Sequence, residues 1–113
     1  MNITDQIKPN GICVISLQGD INKESLNDFK EKIEAIVNKT RKKYVINFQS
    51  VNIFTSDGAS VIVSALKKCK KFQGIIKLSN LSPSIQELFD MTRLNKVFDI
   101  YDSEEEALKS MSD

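Results

Sequence analysis

The groups able to do chemistry are few, and they gather at Thr55-Ser56-Asp57-Gly58. Two hydroxyls, a carboxylate and a glycine stand in consecutive positions, just ahead of an apolar stripe at Ala59, Ile62, Ala65, Leu66, Cys69 and Phe72 whose spacing is helical. A serine at such a boundary has two uses. Its oxygen can accept a hydrogen bond from a backbone N–H of the first turn, worth roughly 1 kcal/mol as an N-cap. Its hydroxyl can also receive a phosphoryl group, because a helix N-terminus tolerates the added charge. The pattern puts Ser56 at the cap position, with Thr55 as a second hydroxyl and Asp57 as a first-turn carboxylate favourable to the helix dipole.

Other chemistry finds little support. The chain contains no histidine, so neither a Ser-His-Asp nor a Cys-His arrangement can be assembled within it. Cys13 and Cys69 sit among apolar neighbours with no second ligand at metal-binding spacing, and read as core residues. No metal and no cofactor are expected, and with no acid/base pair or phosphate loop the chain is not expected to be an enzyme. Lys67, Lys68, Lys70 and Lys71 are the clearest charge cluster, but they fall in the last turns of the same helical segment, where they complement its dipole. Interleaved aromatics or a groove-reading motif would be needed to read them as a nucleic-acid surface, and neither is present.

The elements that must position Ser56 follow from periodicity and punctuation. Pro9-Asn10-Gly11 is a turn and Ile12 to Leu17 a strand, so a hairpin opens the chain, although Asn2 to Ile7 is ambiguous by itself. Leu26, Phe29, Ile33, Ile36 and Val37 recur at helical spacing, with Asn22 or Ser25 available as the cap. Tyr44 to Phe48, after a basic loop, reads as a buried strand, and Gly74 to Leu78 as another. Ser82-Pro83 starts a helix with faces at Ile85, Leu88 and Phe89. Val97 to Tyr101 suggests a last short strand, and Ser103-Glu104-Glu105-Glu106 is a capping box for a terminal helix through Ala107, Leu108 and Met111.

Strands alternating with helices after a hairpin predict an α/β layer structure with a mixed sheet and its helices stacked mainly on one face. With 113 residues, 41% hydrophobic and 27% charged, one packed domain spanning 1–113 is expected. The formal charge of +1 supplies no global field toward nucleic acid or membrane. No secretory signal pattern and no membrane-length apolar run occur, so a cytoplasmic protein without membrane insertion is expected.

Phe54-Thr55-Ser56-Asp57-Gly58 resembles the signature loop of the STAS domain family, shared by anti-sigma factor antagonists and sulphate transporter tails. Those antagonists commonly carry Asp-Ser-Ser-Gly or Asp-Ser-Thr-Gly there, with the first serine as phosphate acceptor, which falls on Ser56 here. Leu17-Gln18-Gly19-Asp20-Ile21-Asn22 is similar to the family's Leu-x-Gly-x-Leu-Asp loop. Leu81-Ser82-Pro83 and Leu88-Phe89-Asp90-Met91-Thr92-Arg93-Leu94 resemble its third-helix region, so the likeness covers nearly the whole chain. The departures are Thr55 for the usual Asp, Asp57 for the second Ser or Thr, Arg93 for a common Gly, and Asn22 for a frequent Asp.

The resemblance implies a STAS-type mixed β-sheet of four to five strands packed with about four α-helices. It implies a binding switch: the chain docks on an anti-sigma factor that is also a serine protein kinase, is released on phosphorylation at Ser56 (Thr55 being the second choice), and is reset by a metal-dependent serine/threonine phosphatase. The alternative is a non-switching STAS scaffold or accessory subunit, stressosome-like or associated with lipid transport. Either way, the docking surface is expected at Gly19, Asp20, Ile21, Asn22, Thr55, Ser56, Asp57 and Gly58, extended by Ser60 and Val63, which turn away from the Ile62/Cys69 stripe. Gly58 is read as permitting close backbone approach, either by the partner or by the Gly19-to-Asn22 loop.

Overall fold

The computed structural model describes residues 1–38 and 42–111. The opening hairpin forms as the turn signal predicts: β1 (Asn2–Ile7) pairs antiparallel with β2 (Cys13–Ile21), so the ambiguous first segment is an edge strand. The chain then runs α1 (Leu26–Ile36), β3 (Lys43–Phe54), α2 (Ser56–Lys71), β4 (Ile75–Ser79), α3 (Pro83–Met91), a 3-10 turn (Leu94–Lys96), β5 (Ile100–Tyr101) and α4 (Glu104–Met111). The five strands lie in sequence order in one sheet, parallel after the first pair. The basic loop ahead of Tyr44 lies partly outside the described residues.

Alternation along β2 and β3 divides the interior in two. Cys13, Ile15, Leu17, Tyr44, Ile46 and Phe48 face the main core, where Phe29 and Ile33 of α1, Ile62, Ala65, Leu66 and Cys69 of α2, and Ile85 and Phe89 of α3 cover them. Phe54 anchors this core by edge-on contacts with Phe29 and Phe48 and a stacked contact with Phe89. The intervening Ile12, Val14 and Val45 face the opposite way, against Ala107 and Met111 of α4. The expectation of helices on one main face therefore holds for three of the four. α4 covers the reverse, because the parallel strands are apolar on both sides there.

Two other boundaries differ from the sequence reading. β3 runs on to Phe54, well past Phe48, through register shifts in its pairing with β2 between Ser16 and Gln18 and between Gly19 and Asp20. These bulges re-aim the strand ends and bring Val51 and Phe54 back to the core. The last strand is only Ile100–Tyr101 instead of Val97 to Tyr101, since the 3-10 turn occupies the preceding segment and Val97 is exposed. Both cysteines are buried, as read, and burial pushes the Cys69 thiol up from its ordinary value.

Candidate functional site

The carboxyl ends of β2 and β3 are adjacent parallel strand ends, and the two loops singled out in the sequence leave from them side by side. Ile21 pairs with Phe54, and the Thr55 N–H donates to the Ile21 carbonyl at 3.2 Å. Gly58 closes the contact: a Cβ there would lie 3.0 Å from Phe54 Cε1 and 3.1 Å from Ile21 Cγ2. Of the two readings of Gly58, close approach by the neighbouring loop is thus the one the packing displays. Gly19 has φ +95° and comes so close to the chain start that a Cβ would be 3.3 Å from Met1 Cα, a combination open to glycine.

The helix start is shifted by one residue from the sequence reading. Thr55 occupies the N-cap with extended backbone (φ −98°, ψ 167°), its carbonyl accepting from Ala59 N–H at 3.1 Å, and Ser56 is the first helical residue. The sheet decides this, since pairing to Ile21 holds Thr55 extended and the chain cannot turn helical before Ser56. Neither hydroxyl caps. Thr55 Oγ1 is buried without a hydrogen-bond partner, while Ser56 is exposed and its hydroxyl makes no hydrogen bond among the described residues. The Ser56 carbonyl accepts from Ser60 Oγ at 3.2 Å.

At the other loop, Asn22 and Ser25 share the work. Asn22 Oδ1 accepts from the N–H groups of Glu24 (3.0 Å) and Ser25 (3.3 Å). Ser25, at the N-cap of α1, accepts from Asn22 N–H at 3.0 Å and donates to the Asp20 carbonyl at 2.9 Å. These side-chain bonds rigidify the loop and leave Asp20 exposed.

The structure leaves Asp20, Asn22, Ser56, Asp57 and Ser60 exposed or half-buried, on the two loops that leave the adjacent ends of β2 and β3 and on the first turns of α2. It does not leave all the expected residues open. Ile21 is fully buried in the main core, because it faces Gly58 and not solvent. Gly58 is itself buried and not open as expected, and Val63 is half-buried, with part of its side chain packed against the core. Thr55 offers backbone only, since its hydroxyl is enclosed.

Two clefts flank α2, and the sequence reading had neither. One, about 340 Å³, lies between α1 and α2 and is lined by Leu26, Val37, Val61 and Ala65 together with the charged Lys30, Glu34, Asp57 and Lys68. The other, about 370 Å³, lies between α2 and the turn after α3, where Ser56, Ser60, Val63 and Lys67 face Thr92 and Leu94. The α2 half of this groove was available in the sequence, since positions 56, 60, 63 and 67 share one helical face. Its far wall comes from residues some thirty positions later, which no local pattern connects to it. Among the described residues no group of three or more His, Cys, Asp or Glu is placed to hold a metal, and no helix is long and apolar enough to cross a membrane.

Comparison with known proteins gives a consistent frame. An anti-sigma-B factor antagonist from Bacillus subtilis is 31% identical over 101 residues, 88% of this chain and 92% of the relative. The crystal structure of an anti-sigma factor antagonist from Mycobacterium paratuberculosis superposes with a TM-score of 0.84 at 23% identity, covering 99% of this chain and 96% of that one. The Bacillus cell fate determinant SpoIIAA in its phosphorylated form superposes with a TM-score of 0.75 at 19% identity, covering 98% and 100%. The STAS domain model matches residues 4–107, which include both converging loops and every strand and helix from β2 to α3; this chain belongs to the STAS domain family.

Proposed function

We propose that this chain is an anti-sigma factor antagonist whose binding is switched by phosphorylation of Ser56. The unmodified chain docks, in the cytoplasm, on an anti-sigma factor with serine kinase activity and so relieves whatever that factor restrains; phosphorylation ends the contact, and a metal-dependent serine/threonine phosphatase restores it. The observation that carries this reading is the contrast between neighbouring hydroxyls. Ser56 presents an exposed, unbonded hydroxyl at the head of α2, beside the Gly19-to-Asn22 loop, while the Thr55 hydroxyl is buried. A kinase can reach the first without disturbing the fold. The relative from Bacillus subtilis, named for the same activity, supports the class of partner.

The physical effect of modification is local. A phosphate on the first helical residue adds about −2 charges where helix N–H groups favour an anion, so the domain stays folded. At the docking surface the same dianion must be desolvated and repels acidic partner groups, which raises the dissociation rate. Asp57 stands next to it and opposes any ordering of the phosphate toward the α1 side.

The test is incubation with the anti-sigma kinase of the same genome and ATP, with the modified residue mapped by mass spectrometry. One phosphoryl group on Ser56 is expected. Ser56→Ala is expected to abolish it while changing stability by less than about 0.5 kcal/mol, since no side-chain cap bond is lost. Ser56→Asp is expected to weaken kinase binding. A kinase that binds the chain, modifies neither Ser56 nor Thr55 and holds Ser56→Asp as tightly as wild type would establish the non-switching scaffold instead.

A further inference from the structure

The groove between α2 and the turn after α3 differs in charge from the α1–α2 cleft. Among the described residues lining it, Lys67 is the single charged side chain, and Ser60, Ser64 and Thr92 supply neutral hydroxyls around the apolar Val63 and Leu94. The α1–α2 cleft carries both signs, Lys30 and Lys68 against Glu34 and Asp57, and so has no preference for a charged occupant. The chain segment that supplies the far wall also carries exposed apolar side chains: Met91 is 76% exposed immediately before Thr92, and Val97 is 47% exposed just after the 3-10 turn. Exposed apolar side chains next in sequence to a groove wall add to the apolar area a partner could cover. Ser56 lines this groove, so it is continuous with the proposed switch.

We propose that this groove receives an acidic segment of the anti-sigma factor, with an apolar side chain seated between Val63 and Leu94 and a carboxylate paired with Lys67, and that phosphate on Ser56 expels the segment from the same groove. The inference rests on the switch reading and adds the chemistry of the partner's contact. Ser56 and Lys67 are eleven residues apart on one face of α2, roughly 16 Å along the axis, enough to hold about five extended residues or three helical turns. Before modification the groove's one charge attracts the acidic segment. Afterwards about −2 charges at its Ser56 end outweigh Lys67 and reverse the sign of the groove. Release then needs no rearrangement of the fold.

The experiment uses the kinase that binds the wild-type full-length chain and phosphorylates Ser56. Lys67→Glu is expected to weaken binding of that kinase at least tenfold and to flatten its salt dependence, while Lys30→Glu, in the lining of the other cleft, changes affinity less than twofold. Both side chains are exposed, so folding is not in question. As a measurement on the unaltered chain, methyl NMR is expected to shift Val63 and Leu94 on addition of kinase, leaving Leu26 and Val37 in place. A kinase that modifies Ser56 but is indifferent to Lys67→Glu, or shifts Leu26 and Val37 instead, overturns the groove assignment alone. A chain that binds no such kinase overturns it together with the switch.

Discussion

Thr55 carries the least comfortable side chain at the site. Its Oγ1 is buried with no partner among the described residues, and an unsatisfied buried hydroxyl costs about 1–3 kcal/mol. The backbone is extended and suited to a β-branched residue, and the hydroxyl makes no cap bond. Thr55→Val is therefore expected to raise stability by about 1 kcal/mol in denaturant melts while leaving phosphorylation of Ser56 intact. A loss of that size would mean that the hydroxyl has a partner, and loss of modification would move the acceptor to Thr55. The sequence reading placed the start of α2 within one residue but assigned the cap to Ser56, because serine and threonine are both good caps and nothing local distinguishes them. The pairing of Thr55 N–H with Ile21 distinguishes them, and it is a tertiary contact. Ile21 was misplaced on the surface for the same reason: its neighbours Gly58 and Phe54 come from another loop.

Among the elements, helices were more legible than strands, and the reason is period. The α2 stripe of Ile62, Ala65, Leu66 and Cys69 is buried as its spacing required. β3 gave a signal only from Tyr44 to Phe48, because Gln49, Ser50 and Asn52 interrupt the alternation where the register shifts against β2. α4 was legible from its capping box, but the face it covers was not. Ser103 Oγ accepts from Glu106 N–H at 3.2 Å, as the pattern predicts. The docking of the helix then relies on Asn47 Nδ2 donating to Glu104 at 3.0 Å, Lys43 Nζ to the Met111 carbonyl at 2.9 Å and Lys77 Nζ to Ser110 at 2.9 Å. All three partners lie on distant strands. Ser103→Ala is expected to cost about 1 kcal/mol and to lower hydrogen-exchange protection in Glu104–Met111 without changing it in α2, which lies on the other face. Equal loss in both helices would show that α4 does not open separately.

At the scale of the whole molecule, the main core is where Ser56, the groove and the sheet depend on one another, and Cys69 reports on its integrity. It lies near the end of α2, fully buried, so close to Gly74 that a Cβ there would collide with its Sγ. Burial raises its pKa above the ordinary value of 9.0. The unfolded thiol therefore ionises first as pH rises, the unfolded state then holds fewer protons than the folded one, and stability falls with pH. The thiol's contribution is whole below about pH 9.0 and is lost as pH climbs through the raised folded value. The slope for one proton is at most about 1.4 kcal/mol per pH unit. Urea melts of wild type and Cys69→Ala at pH 7, 9 and 10 separate this from every other pH effect, which both chains share. Wild type is expected to lose more stability than Cys69→Ala above pH 9, with the two curves parallel below it. Parallel curves throughout would mean that solvent reaches Cys69 in the folded chain, so that burial does not hold its thiol protonated.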